Sequence, residues 1–104
     1  MSLDFALLGN DGRPAETVAL TRDEHEGLLR VAARGGLTAI LKMHDYYEDV
    51  DFLPGELSGL LGDLRTAASS DGGEAPLLAG ILPTLVDLVT LAMAKGIGVS
   101  VLAD

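Results

Sequence analysis

The sequence predicts an α+β fold: a two-layer sandwich, with a mixed sheet of about four strands and about three helices on one face, in the order β-β-α-β-α-α-β. Three observations carry this expectation. Short runs with period-two alternation stand near both ends of the chain. Runs with helical spacing lie between them, each bounded by recognisable caps. The length of 104 residues at 10.8 kDa suits one domain, residues 1–104, with one hydrophobic core. Aromatics make up only 4% of the chain against 48% apolar residues, so that core must be built from Leu, Val, Ile and Ala.

The elements follow in chain order. In SLDFALL, 2–8, Leu3, Phe5 and Leu7 fall on one face of an extended chain and Asp4 and Ala6 on the other, which predicts a first strand. GNDGRP, 9–14, is turn chemistry. ETVAL, 16–20, alternates again through Val18 and Leu20 and completes a hairpin. TRDE, 21–24, is a capping-box pattern in which the Thr21 hydroxyl accepts from the Glu24 N–H and Glu24 reaches back to the Thr21 N–H. His25, Leu28, Leu29 and Ala32 follow at helical spacing, and Gly35 and Gly36 end the helix, so 22–34 is predicted helical.

LTAILKM, 37–43, alternates Leu37, Ala39, Leu41 and Met43 with Thr38, Ile40 and Lys42, and is bounded by glycines; it predicts a central strand. Pro54 suits a first helical position, and Leu57, Leu60, Leu61 and Leu64 form the stripe of the helix it opens. ASSDGGEA, 68–75, reads as a flexible loop. The run 76–95 is almost wholly apolar, but Asp87 near its middle, Gly80 and Pro83 argue for a buried helix kinked or broken at Pro83 over a membrane span. Its inner face is Leu85, Leu88, Val89 and Ala92, and Gly96 ends it. GIGVSVLAD, 96–104, then alternates through Ile97, Val99 and Val101 as the last strand; helical connections lead one to expect some parallel pairing in the sheet.

Charge narrows the function classes. Sixteen acids against seven bases give a net −9. Nucleic-acid binding expects a basic footprint, and docking on anionic membrane does too. A basic protein partner is compatible with the charge. There is no cysteine, hence no disulfide framework and no thiolate metal site, which fits a reducing cytoplasm. The N-terminus shows no secretory-signal pattern.

Catalytic patterns are missing from the sequence. His25 and His44 are its imidazoles; His25 lies on the inner stripe of its helix, and Asp45 points away from His44 in an extended chain. The serines, at 2, 58, 69, 70 and 100, sit in no nucleophile elbow, and the glycine-rich stretches match neither a P-loop nor a dinucleotide fingerprint. No catalytic residue, no metal and no cofactor is therefore expected. From Asp45 to Glu56 the chain has the twelve-residue length of a calcium loop, but Tyr47 replaces a ligand and Val50 replaces the glycine of the sharp turn.

The strongest functional signal is HDYYEDVDF, 44–52. Between Asp45 and Asp63 there are six acids (45, 48, 49, 51, 56 and 63) and no base, with Tyr46 and Tyr47 among the acids. Tyrosine offers contact area with a polar tip. Asp45, Tyr46, Tyr47, Glu48, Asp49 and Asp51 are the expected partner-binding residues. The alternative is a solvated connection that one tyrosine or Phe52 anchors to the core. A different reading is self-association, a homodimer formed through the apolar C-terminal half from Leu77 to Ala94.

A hairpin, a helix, a strand ending in DYYED, a Pro-started Leu helix, and a late helix closing on a short strand that finishes in Asp together resemble small acidic bacterial immunity proteins, the partners of polymorphic or contact-dependent toxins. The resemblance is one of pattern over most of the chain, and its most specific piece is DYYEDVDFLPGEL, 45–57. It implies a single-domain, non-enzymatic cytoplasmic inhibitor that fills a basic toxin cleft with acidic side chains. It assigns no role to any individual residue.

Overall fold

Strand alternation sets the inner face of the sheet. The computed structural model describes residues 3–8, 14–44, 48–69 and 78–103, with side chains described at all of these except 8, 14–16 and 103. Strands β1 (Leu3–Leu8), β2 (Pro14–Leu20), β3 (Val50–Phe52) and β4 (Val99–Ala103) form one sheet in the order β2-β1-β4-β3. Phe5 stands opposite Val18 on one side and Val101 on the other, and Phe52 stands opposite Val99. Leu3, Phe5, Leu7, Leu20, Phe52, Val99 and Val101 are buried, whereas Thr17, Ala19 and Asp51 on the opposite face are exposed.

The four strands and the α+β class are as the sequence predicts. The pairing is not. Every pair is antiparallel, so the sheet is not mixed. A single helix between β3 and β4 would have made a parallel crossover, but the described residues of the connection hold two long helices in mutual contact. Two passes along the sheet bring the chain back to the end it left, so β4 runs against β3.

The third strand also lies elsewhere. Residues 37–43 form no strand: α2 (Thr38–Leu41) and a turn replace it, and β3 is drawn from the acidic stretch, giving the order β-β-α-α-β-α-α-β. The alternation of 37–43 is overruled by a helical period. Leu37, Ile40 and Met43 are the buried positions, three residues apart.

The longer helices obey their local signals. In α1 (Arg22–Gly35), Thr21 N–H donates to Glu24 Oε1 at 2.8 Å and Glu24 N–H to Thr21 Oγ1 at 3.2 Å, the expected capping box. Gly36 ends it with φ +66°, and Leu37 N–H returns to the Ala32 carbonyl at 2.9 Å. These are the positive φ and the long return bond of a Schellman stop. Gly96 (φ +68°) and Ile97 repeat both at the end of α4 (Ile81–Lys95).

Pro54 opens a 3₁₀ turn, Pro54–Glu56, that leads into α3 (Leu57–Ala68). Pro83 neither kinks nor breaks α4: it sits in the first turn, where an N–H has no intrahelical partner to lose. Leu85, Leu88, Val89 and Ala92 face inward as predicted, beside Leu57, Leu60, Leu61 and Leu64 of α3 in one core.

Candidate functional site

The acidic stretch becomes edge strand β3 and the segments on either side of it. Asp45, Tyr46 and Tyr47 lie outside the described residues. Glu48, Asp49 and Asp51 are exposed. Val50 and Phe52 turn toward the core, and Phe52, 1% exposed, ties the stretch to it. Two-residue periodicity explains the split: a strand whose odd positions are acids and whose even positions are apolar has one wet and one dry side.

The base nearest this stretch in sequence is Lys42, and its charge is already engaged. Its Nζ donates to Glu56 Oε2 at 2.7 Å and to the Asp51 carbonyl at 2.7 Å, and lies 4.8 Å from the centroid of the Phe52 ring. The ammonium thus closes one carbonyl of the β3 edge, which would otherwise be open to pairing. Glu56 uses its other oxygen, Oε1, to accept from Leu53 N–H at 3.0 Å, while its own N–H donates to the Leu53 carbonyl at 2.8 Å. Leucine carries no side-chain acceptor, so this is half of a capping box. The Lys42 hydrogen bond, then the Leu53 N–H, hold the Glu56 carboxyl below its ordinary value, against a small opposing effect of desolvation.

Asp63 is likewise committed to the fold. Its Oδ2 accepts from Ala39 N–H at 2.8 Å and Ile40 N–H at 3.3 Å. It caps α2 from a different helix, because Leu37 at the N-cap position has no acceptor to offer. Of the acids counted from 45 to 63, Glu56 and Asp63 therefore build structure. Glu48, Asp49 and Asp51 are the acids of the stretch that stand exposed among the described residues.

Two features escape a reading of the sequence. Lys42 looks like the polar face of a strand, yet it ties β3, Glu56 and Phe52 together. Leu53 follows β3 and is 65% exposed, more than Met93 at 40% or Leu102 at 36%. The only sequence signal for Leu53 is its place immediately before Pro54, where the chain must stay extended.

Each histidine hydrogen-bonds a backbone carbonyl. His25 is 1% exposed, and its Nε2 lies 2.7 Å from the Met43 carbonyl; a carbonyl can only accept, so Nε2 carries the hydrogen. This bond ties α1 to the turn after α2. His44 is exposed, with Nδ1 donating to the Leu41 carbonyl at 3.2 Å. Among the described residues, no group of three or more His, Asp or Glu lies where it could hold a metal ion. Glu56, which would close a calcium loop begun at Asp45, is held instead by Lys42 and Leu53.

The apolar C-terminal helix turns inward. Leu82, Leu85, Leu88, Val89 and Ala92 are buried, and Pro83, Thr84, Asp87 and Thr90 point outward. Among the described residues, no helix is long and apolar enough to cross a membrane. No protein-family model, curated protein or solved structure matches the chain.

Proposed function

We propose that this chain is a non-enzymatic, acidic protein-binding domain that engages a basic partner, in the manner of the immunity-type inhibitors its sequence pattern resembles. One observation carries the reading. Glu48, Asp49 and Asp51 are exposed, and the base nearest them in sequence, Lys42, has its ammonium held by Glu56, the Asp51 carbonyl and the Phe52 ring. A surface of one sign attracts a partner of the other and speeds their encounter. The net −9 of the whole chain extends that field. Asp45, Tyr46 and Tyr47 belong to the same proposed surface by their place in the chain.

The test compares wild type with a Glu48→Lys, Asp49→Lys variant. Each is immobilised, exposed to lysate of the source organism and eluted with a salt gradient. The expected result is a basic protein retained by wild type and released by salt. Its association with the variant should be slower and less dependent on ionic strength. Equal capture and equal on-rates for the two chains would refute the reading.

A further inference from the structure

We infer that Leu53 is the apolar anchor of the partner surface, seating in a pocket of the partner that is rimmed by Lys or Arg. This rests on the basic-partner reading and assigns it a centre. A single exposed leucine is ordinary on a protein surface. What sets Leu53 apart is how it is held and what surrounds it.

Its backbone is fixed at both ends. The N–H donates to Glu56 Oε1 at 3.0 Å, and the carbonyl accepts from Glu56 N–H at 2.8 Å. β3 precedes it and Pro54 follows. Its φ of −70° and ψ of 158° continue the extended chain. Alternation therefore sends Leu53 to the same side as Asp51, away from the buried Phe52, with the two side chains ~6.6 Å apart along the strand. The ordering entropy that binding would demand of this segment is largely spent in folding.

The pairing of β3 with β4 ends at Phe52 opposite Val99, and Gly98 immediately precedes Val99. Glycine is required there, because a Cβ would come within 2.6 Å of the Phe52 carbonyl oxygen. Leu53 lies just beyond the last paired residue of β3 and stands 65% exposed. Asp51 pairs across with Ser100, another small residue. The result is an exposed leucine with the Asp51 carboxylate on the same side of the chain. Apolar centre and charged rim is the anatomy of an interface hot spot. The charge of that rim selects a partner with basic residues around an apolar recess.

The experiment pans a phage-displayed library of random peptides on the full chain and measures the enriched peptides against three proteins: wild type, Leu53→Ser and Met93→Ser. The expected peptides pair Lys or Arg with an apolar residue. They should lose about tenfold or more in affinity for Leu53→Ser, as burial of most of a leucine side chain predicts. Met93→Ser, which removes an exposed apolar group from the last turn of α4, should bind them as wild type does. Leu53→Ser removes no buried contact, and unchanged far-UV circular dichroism and melting will verify its fold. Basic peptides that bind Leu53→Ser as tightly as wild type overturn the anchor and leave the basic-partner reading standing. No enrichment, or enrichment without Lys and Arg, overturns both.

Discussion

Replacing Asp63 by Ala asks whether one carboxylate decides the conformation of residues 37–43. Asp63 accepts from the N–H groups of Ala39 and Ile40, at 2.8 and 3.3 Å. These are the second and third helical positions of α2, the pair an N-cap side chain ordinarily satisfies. A helix of four residues has no stability of its own. Alanine at 63 would strand both donors at the base of a partly buried turn. Loss of a cap costs about 0.5–2 kcal/mol, and a hydrogen bond to a charged group is worth about 1.5–3 kcal/mol. With one short bond and one long one, about 2 kcal/mol is the expected loss. At a urea m-value of about 1.3 kcal/mol/M, the unfolding midpoint falls by about 1.5 M. The melting temperature falls by about 10 °C. Asp63→Asn keeps an oxygen acceptor without the charge, and about half the loss is expected. Urea unfolding followed by circular dichroism measures all three proteins. An Asp63→Ala variant within about 0.5 kcal/mol of wild type would refute the capping argument. An Asp63→Asn variant as unstable as the alanine would do so too, by showing that acceptor geometry is irrelevant.

Two further perturbations test the β3 edge. Gly98→Ala places a Cβ 2.6 Å from the Phe52 carbonyl oxygen, which cannot retreat without disturbing the β3–β4 pairing; about 1–3 kcal/mol of destabilisation is expected, and urea unfolding at wild-type stability would refute it. The second concerns pH. The carboxyl of Glu56 is held below its ordinary 4.5, so the unfolded chain takes up its proton first as pH falls. The stabilisation is therefore complete above the unfolded value and is lost as pH falls through the lower folded value. Against Glu56→Gln, the stability advantage of wild type should be constant near neutrality and shrink below about pH 4.5. An advantage unchanged down to about pH 3 would contradict the assignment.

Much of the fold was legible because its signals are local. Thr21 and Glu24 announce α1 from three residues apart, and Gly36 and Gly96 mark the ends of α1 and α4. The misreading of 37–43 has a physical cause. Leu37, Ala39, Leu41 and Met43 alternate, but Leu37, Ile40 and Met43 also recur at a spacing of three, and sequence alone cannot choose between the periods. The choice is made by Asp63, supplied by α3, and by His25, supplied by α1, which bonds the Met43 carbonyl. Both act from a distance that no local window spans. β3 is three residues long, and its pairing with β4 waits on two intervening helices.

The same distinction governs the candidate surface. A count of acids between 45 and 63 treats every carboxylate alike, but the fold divides them by function. Asp63 lies on the second turn of α3, where it can reach a bare helix end. Glu56 lies three residues after Leu53, the spacing that lets a carboxylate return to a preceding N–H. Asp51 alternates with two core residues and so must face outward. Which of these acids face outward and which build the fold is thus set by secondary structure. Lys42 completes the division, because the ammonium that closes the β3 edge is the charge that would otherwise neutralise Asp51 and its neighbours. Removing Lys42 would therefore loosen the edge and sharpen the negative field together, whereas removing Glu56 would free Lys42 and blunt that field. Opposite effects of these two substitutions on the rate of partner association are what this arrangement requires.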